Sequence, residues 1–587
     1  MRWLIALGVV VACAQFVYLA TLVQEHTLNN RPLAPAVVVQ EPPAVVLPPP
    51  PPFFQEGDDV MARIGLVTDF VREIHAAFGP IRPKGFGLRN SPQRPSDEVA
   101  WRTFYDAVSR LLFETPKYEK LRRFEKVRRR PKTIFVSISS FRDEVCPDTL
   151  DNLYSRASNP ENIFVGLVQQ NCDERQHAAY GCFTAVMPSD MKVHPAPPDL
   201  DCARTYCARP TAFEPACSSL LRVLRFNESE TFGPVFGRYL GSLLWRDEEF
   251  YMQVDAHTTF ARGWDDILIS DYDLAPSKRP VFSHYPPSGP QKPAPGNYAW
   301  ERQVGTCMCD AGFAEYSIVR VGAMNRYPIK ETVPPNCGQP SETCRHVPRF
   351  APFIGAGFVF ANASFLVDVP FDPFLPWIFM GEELDFSTRL WTSGWDIFCP
   401  PRNALAHAYL RPQKPKFWGA LQRSIGAGAH NSLQQFVLPR VKHKVGYPEA
   451  LSVDQLKLPT LAAHLDLYGI GTRRSLQDYL ALADLDFVAK RPARVAWCKA
   501  GDRPPGLVDT YPILHNNRSF RHVFLTFFII LFAFFAFASK ILWIQWTTAT
   551  IMVFFFLLFD LIFLDESQFI FDPDPDNWRR RVEASRD

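Results

Sequence analysis

The apolar positions of this chain change period along its length, and each change marks an element. Residues 3–23 form an almost unbroken apolar run preceded by Arg2. A run of about twenty such residues predicts a membrane-spanning helix, longer than the core of a cleaved leader. Residues 60–78 and 97–126 repeat apolar side chains at helical spacing. From Thr133 the texture shifts to short continuous runs, Thr133-Ile-Phe-Val-Ser-Ile-Ser and Asn162-Ile-Phe-Val-Gly-Leu-Val-Gln. Both are rich in β-branched and aromatic residues, which predicts buried strands. Between them Leu150, Leu153, Tyr154 and Ala157 share one helical face, so a strand–helix–strand unit and a parallel α/β sheet are expected. Phe232, Val235, Phe236, Tyr239, Leu240, Leu243 and Leu244 predict a helix packed on the core, followed by a buried strand, Phe250-Tyr-Met-Gln-Val-Asp255. Near the other end, apolar residues 520–539 and 541–564 flank Lys540 and predict two more spans.

These patterns divide the chain into a signal anchor (1–25), a proline-rich stem (26–59), a helical stem (60–130) and a catalytic α/β domain (131–440). A C-terminal extension (441–515), a two-helix membrane segment (520–565) and a polar tail (566–587) complete it. The proline tract at 32–52 cannot form ladders and is expected to be an extended spacer. With Arg2 cytosolic the remainder would face a lumen, and the sequons at Asn227, Asn362 and Asn517 are compatible with that.

Composition changes the picture in two ways. The 63 basic and 61 acidic residues nearly cancel, which excludes the basic excess of a nucleic-acid-binding protein. Twelve of the 13 cysteines lie between Cys146 and Cys498. Cys202-x4-Cys207 and Cys307-x-Cys309 could suggest zinc, but no regular histidine pattern follows, and a chain with membrane signals favours disulfides.

The candidate chemistry begins at Asp255-Ala256-His257. A carboxylate at the end of a buried strand lies where ligands collect in open α/β sheets. Two residues on in extended backbone, an imidazole would face the same side. An Asp with an imidazole suits manganese or a similar ion, which neutralises a diphosphate leaving group. A third ligand from a distant strand would close such a site; His407 follows some 150 residues later, where by itself it reads as a surface histidine.

Several blocks in order resemble the peptide-modifying N-acetylglucosaminyltransferases, a family that includes hydroxyproline-modifying and parasite mucin-type enzymes. They are Ile134-Phe-Val-Ser-Ile-Ser-Ser-Phe-Arg-Asp143, Gly233-Pro-Val-Phe-Gly-Arg-Tyr239, Tyr251-Met-Gln-Val-Asp-Ala-His257 with Gly263-Trp-Asp265, Phe379-Met-Gly-Glu-Glu383, and Arg389 to Asp396 leading to His407. Tyr468 to Ser475 looks like the family's tail. The resemblance implies a GT-A fold (a Rossmann-like mixed sheet), a UDP-sugar donor, UDP-GlcNAc foremost, and a divalent metal, Mn2+ by preference. It places the metal on Asp255, His257 and His407, and the nucleotide-sugar on Ser139, Arg142, Asp143, Gln169 and Arg238. The acceptor side falls to Glu382 and Glu383. The implied reaction is GlcNAc transfer to a protein hydroxyl with retention; that chemistry and the topology read above lead to the expectation of a Golgi or other secretory membrane, with the catalytic domain luminal. Where relatives carry Asp-Ser-His-Met-Arg, this chain has Ala256, Thr258 and Thr259, a departure that touches acceptor or sugar details.

Two other readings remain open at this level. A processive polysaccharide synthase also joins such a domain to C-terminal membrane helices, but its Gln-x-x-Arg-Trp motif is absent. An inactive, membrane-tethered relative would keep the fold and lose the ligand set. The carboxylates Glu382 and Glu383 would position the sugar in a retaining enzyme, or supply a general base in an inverting one.

Overall fold

A computed structural model describes residues 60–78, 97–122, 124, 129–180, 182–184, 194–290, 298–302, 307–314, 317–322, 348–409, 433 and 435–504. The expected spans at 3–23, 520–539 and 541–564, the proline tract and Asn517 lie outside these residues. Among the described residues no helix is long and apolar enough to cross a membrane.

The order of elements follows the predicted alternation. Helices α1 (Val60–Phe78) and α2 (Asp97–Ser109) come first, then β1 (Arg130–Phe141), α3 (Cys146–Ser155) and β2 (Ile163–Asn171). A short helix, α4 (Cys202–Cys207), β3 (Leu221–Asn227), α5 (Pro234–Ser242) and β4 (Glu248–Asp255) follow. Next are β5 (Thr258–Phe260), α6 (Trp264–Asp273), β6 (Pro280–Ser283), β7 (Arg349–Phe350) and β8 (Phe358–Asn362). Helix α7 (Glu382–Thr392), β9 (Asp396–Cys399), β10 (Leu405–His407) and α8 (Leu438–Val445) complete the set used below.

Eight strands form one mixed sheet in the order β7-β9-β6-β8-β4-β1-β2-β3. As expected, β1 runs parallel to β2, and also to β4. Strand β8 runs antiparallel to both β4 and β6. The register sets Ser139 of β1 opposite Asp255 of β4, so their carboxyl ends finish side by side. Along β4 alternate residues face opposite layers. Phe250 meets Tyr272 of α6 at 5.1 Å between ring centroids, while Tyr251 meets Phe365 at 5.4 Å on the other side.

Helix α5 lies unusually close to the sheet. A Cβ on Gly237 would come within 2.3 Å of Ser139 Oγ, and one on Gly241 within 2.4 Å of Ser137 Oγ. Only glycine permits that approach, and it brings the side chain between them, Arg238, down onto the strand ends.

The segment expected as a helical stem is packed into this body. Trp101, Phe104, Tyr105 and Val108 of α2, spaced as one helical face, are all buried. Phe104 touches Phe232 and Phe236, with centroids 5.0 and 6.2 Å away, and Phe70 of α1 lies 6.4 Å from Tyr239. The Arg63 Nε donates to the Leu243 carbonyl at 2.9 Å, and the Tyr239 hydroxyl to that of Leu121 at 3.1 Å. These contacts stiffen α5 from its outer side. Tyr239→Phe leaves a buried carbonyl unpaired and is expected to cost about 1–2 kcal/mol, read as a lowered thermal midpoint.

Among the described residues five disulfides join Cys146 to Cys202, Cys172 to Cys182, Cys207 to Cys217, Cys307 to Cys399 and Cys309 to Cys498. The expectation of disulfides holds, and the close pairs that could have suggested zinc each bond elsewhere. Cys337 and Cys344 lie outside the described residues.

Candidate active site

The site forms where β1, β4 and α5 meet a small antiparallel pair, β5 and β10. Strand β4 ends at Asp255 and the chain turns through Ala256 and His257 before β5. The two ligand candidates therefore converge through a turn, and the expected strand alternation is not what aligns them. Thr258 closes this turn by donating its hydroxyl to the Asp255 carbonyl at 2.7 Å, and Thr149 donates to the Ala256 carbonyl at 2.8 Å. Ala256, Thr258 and Thr259 are all buried, so the departures from the family pattern fall on the support of the turn.

His407 arrives through β10, which pairs with β5 so that His407 stands opposite Thr258. The Ala408 N–H donates to the His257 carbonyl at 3.1 Å, locking the two histidine-bearing segments together. His407 Nε2 lies 3.0 Å from Asp255 Oδ2, and the two imidazole centroids are 4.5 Å apart. One ligand atom from each of Asp255, His257 and His407 falls within 4.8 Å of the others. The remote histidine is within reach.

Asp143 fixes the orientation of His257. Its Oδ2 lies 2.7 Å from His257 Nδ1, which leaves Nε2 as the atom offered to an ion. A carboxylate behind a ligating histidine sets its tautomer and raises its basicity. Asp143 was expected beside the uridine; its carboxylate is buried and also accepts the Val145 N–H at 3.0 Å. One carboxylate and two imidazoles form a donor set suited to Mn2+ or a similar divalent ion.

Arg238 reaches the same carboxylate from the other side. Its Nη2 donates to Asp255 Oδ1 at 3.2 Å and its Nη1 to Glu382 Oε2. Burial pushes the Asp255 carboxyl up, but the hydrogen bond from His407 and the charge of Arg238 outweigh it and hold it well below the usual range. Burial lifts the Glu382 carboxyl, against the pull of Arg238.

Glu383 turns elsewhere. The Tyr285 hydroxyl donates toward its carboxylate, 2.8 Å from each oxygen, and the Ala356 N–H donates to Oε1 at 2.9 Å. Burial pushes Glu383 up to about 7 in spite of those two donors. The expected acidic pair is thus divided between two surroundings.

The remaining expected nucleotide contacts sort unevenly. Ser139 stands at the strand ends and accepts from Gln170 Nε2 at 3.3 Å. Arg142 is buried and commits its guanidinium to Asp199 at 2.7 Å and Glu228 at 2.8 Å, an arrangement that braces the loop after β1. Gln169 accepts the Cys202 N–H at 2.7 Å and so holds the start of α4. Gln170, its neighbour, faces Ser139 and receives the Thr231 hydroxyl. Strand parity could have separated the two glutamines. No sequence signal marks Tyr285.

The family model for Glycosyltransferase (GlcNAc) matches residues 133–489, more than half of the chain. The chain belongs to that family. The matched span of this GlcNAc-family glycosyltransferase contains every residue of the site above. Solved structures show only loose overall likeness. GalNAc-T7 with UDP, GalNAc and Mn2+ is 12% identical over 68% of this chain and 69% of its own, with a TM-score of 0.35. S. aureus TarS 1-349 in complex with UDP-GlcNAc is 11% identical over 55% of this chain and 78% of its own, with a TM-score of 0.25. Scores that low carry no argument about this chain. No curated protein matches it.

Proposed function

We propose that this glycosyltransferase moves GlcNAc from UDP-GlcNAc to a hydroxyl of a protein acceptor, with a divalent cation, Mn2+ by preference, and retention of configuration at a GT-A-type site. The convergence of Asp255, His257 and His407 beside Arg238 carries the reading. When bound there, the cation supplies positive charge against the diphosphate that leaves with UDP. Asp255, His257 and His407 hold it, and Asp143 keeps the His257 Nδ1 proton so that Nε2 stays available.

Arg238 presents a guanidinium fork at the same edge, suited to phosphate oxygens. Its partner Glu382 gives that fork a fixed direction. Glu382 already commits one carboxylate oxygen to Arg238. That favours attack by the acceptor hydroxyl from the leaving-group face over a covalent sugar–enzyme intermediate. Ser139, beside Asp255 in the register, is the donor-side contact that β1 contributes. Five disulfides support an oxidising lumen, and the apolar runs at 3–23 and 520–564 support tethering to a secretory membrane such as the Golgi.

The test is UDP release by the detergent-solubilised full chain, with Mn2+ and a panel of UDP-sugars, with and without Ser-, Thr- or hydroxyproline-containing peptides. UDP-GlcNAc should give the fastest release, accelerated by one peptide class and abolished by chelation. Equal release with and without chelator, or faster turnover of another UDP-sugar, refutes the assignment.

A further inference from the structure

Glu382 and Glu383 are neighbours in sequence, but successive positions on a helix point about 100° apart. Glu382 reaches Arg238, while Glu383 reaches Tyr285 and Ala356. Both partners belong to backbone segments that contact the Asp255–His407 pair. Tyr285 opens a segment whose next residues clamp β10. The Pro286 carbonyl accepts the Tyr409 hydroxyl at 2.8 Å, the Pro287 carbonyl accepts the His407 N–H at 3.0 Å, and the Gly289 N–H donates to the His407 carbonyl at 2.9 Å. Ala356 precedes Gly357, where a Cβ would lie 3.5 Å from Asp255 Oδ2 and 4.0 Å from His407 Cδ2. One carboxylate therefore ties down the two backbone segments that flank the Asp255–His407 pair.

We propose that Glu383 is a positioning residue that sets cation affinity by holding the 285–289 and 355–357 segments against His407 and Asp255. It acts through Tyr285 and Ala356, not on the reacting sugar. The Tyr285 ring reinforces the link, since a Cβ on Gly355 would fall 2.7 Å from its Cδ1. Tyr285, the peptide at 355–356 and Glu383 thus form one packed unit behind the ligands. This inference rests on the metal reading given above, and the experiment separates the two.

Mn2+ binding to the full chain in detergent is followed by loss of the free-ion paramagnetic signal, with UDP release measured in parallel across a Mn2+ series. Tyr285→Phe and Glu383→Ala should weaken Mn2+ binding about 10- to 100-fold, as loss of a group behind a metal ligand does. Lost turnover should return as Mn2+ is raised. Glu383→Gln keeps an oxygen for the Ala356 N–H and the Tyr285 hydroxyl and should retain most of the affinity. If Glu383→Ala does not fold, Tyr285→Phe and Glu383→Gln carry the comparison. Unchanged Mn2+ affinity in the phenylalanine and alanine variants, with turnover lost even at saturating Mn2+, overturns the proposal and makes Glu383 a group that acts on the substrate. His257→Ala is the control: binding no weaker than the parent overturns the metal reading itself, whatever Glu383 does.

Discussion

Asp255→Asn is expected to lower kcat/KM by about a thousandfold or more, the scale on which an enzyme loses a preorganised charge at its reacting centre. The substitution is nearly isosteric, so the reason is electrostatic. Asp255 offers one oxygen to the His407 side and the other to Arg238. An amide cannot do both, because its nitrogen donates and must face either a guanidinium or the cation. The charge of the ligand set also falls, leaving two imidazoles and at most an uncharged amide oxygen to hold a divalent ion. Mn2+ titration should show no saturable binding where the parent saturates. A variant that keeps both the parent's Mn2+ dependence and its turnover would remove Asp255 from the site.

His257→Ala is expected to follow the same course for a different reason. It removes one ligand and strands Asp143, whose remaining partners include the Val145 N–H. Comparing the two variants distinguishes loss of ligand charge from loss of ligand number. Both should lose metal binding, but only Asp255→Asn frees Arg238 to pair with Glu382 alone.

Much of this site was legible in the sequence because its parts lie at strand ends, and strand ends are marked by where buried runs stop. Asp255 and His257 were found that way, and β1, α3, β2, α5 and β4 all form where the hydrophobic period placed them. His407 came from the family pattern; the reason it works, antiparallel pairing of two three-residue strands, is too short to leave a periodic signal. Asp143 was legible as part of the loop after β1, but not as the partner of His257, since that contact spans 114 residues and local spacing says nothing of it. Arg142 was legible as a cation, not as one neutralised by Asp199 and Glu228. The amphipathic faces of α1 and α2 announced that they bury something. They did not announce that the thing buried is the back of α5.

The largest stability effect is expected behind α7, at a carboxylate the sequence did not single out. Asp372 is fully buried and bonds Arg440 Nε and Lys444 Nζ of α8, each at 2.8 Å. Lys444 extends the network to Asp385 at 2.6 Å, one turn along α7 from Glu382. The cluster therefore fixes the helix whose start meets Arg238. Asp372→Asn keeps the shape but leaves two buried cations against one carboxylate, and breaking such a network from one side costs about 3–5 kcal/mol. Burial alone would raise the Asp372 carboxyl; the charges of Arg440 and Lys444 prevail and hold it well below the usual range. A carboxyl depressed in the folded state adds stability that is complete above its unfolded pKa, about 4, and drains away as pH falls below it. The gap in thermal midpoint between parent and Asp372→Asn should accordingly be widest near neutral pH and shrink below pH about 4. A gap that stays constant across that range, or an asparagine variant as stable as the parent at neutral pH, would mean that packing, not charge, anchors α7.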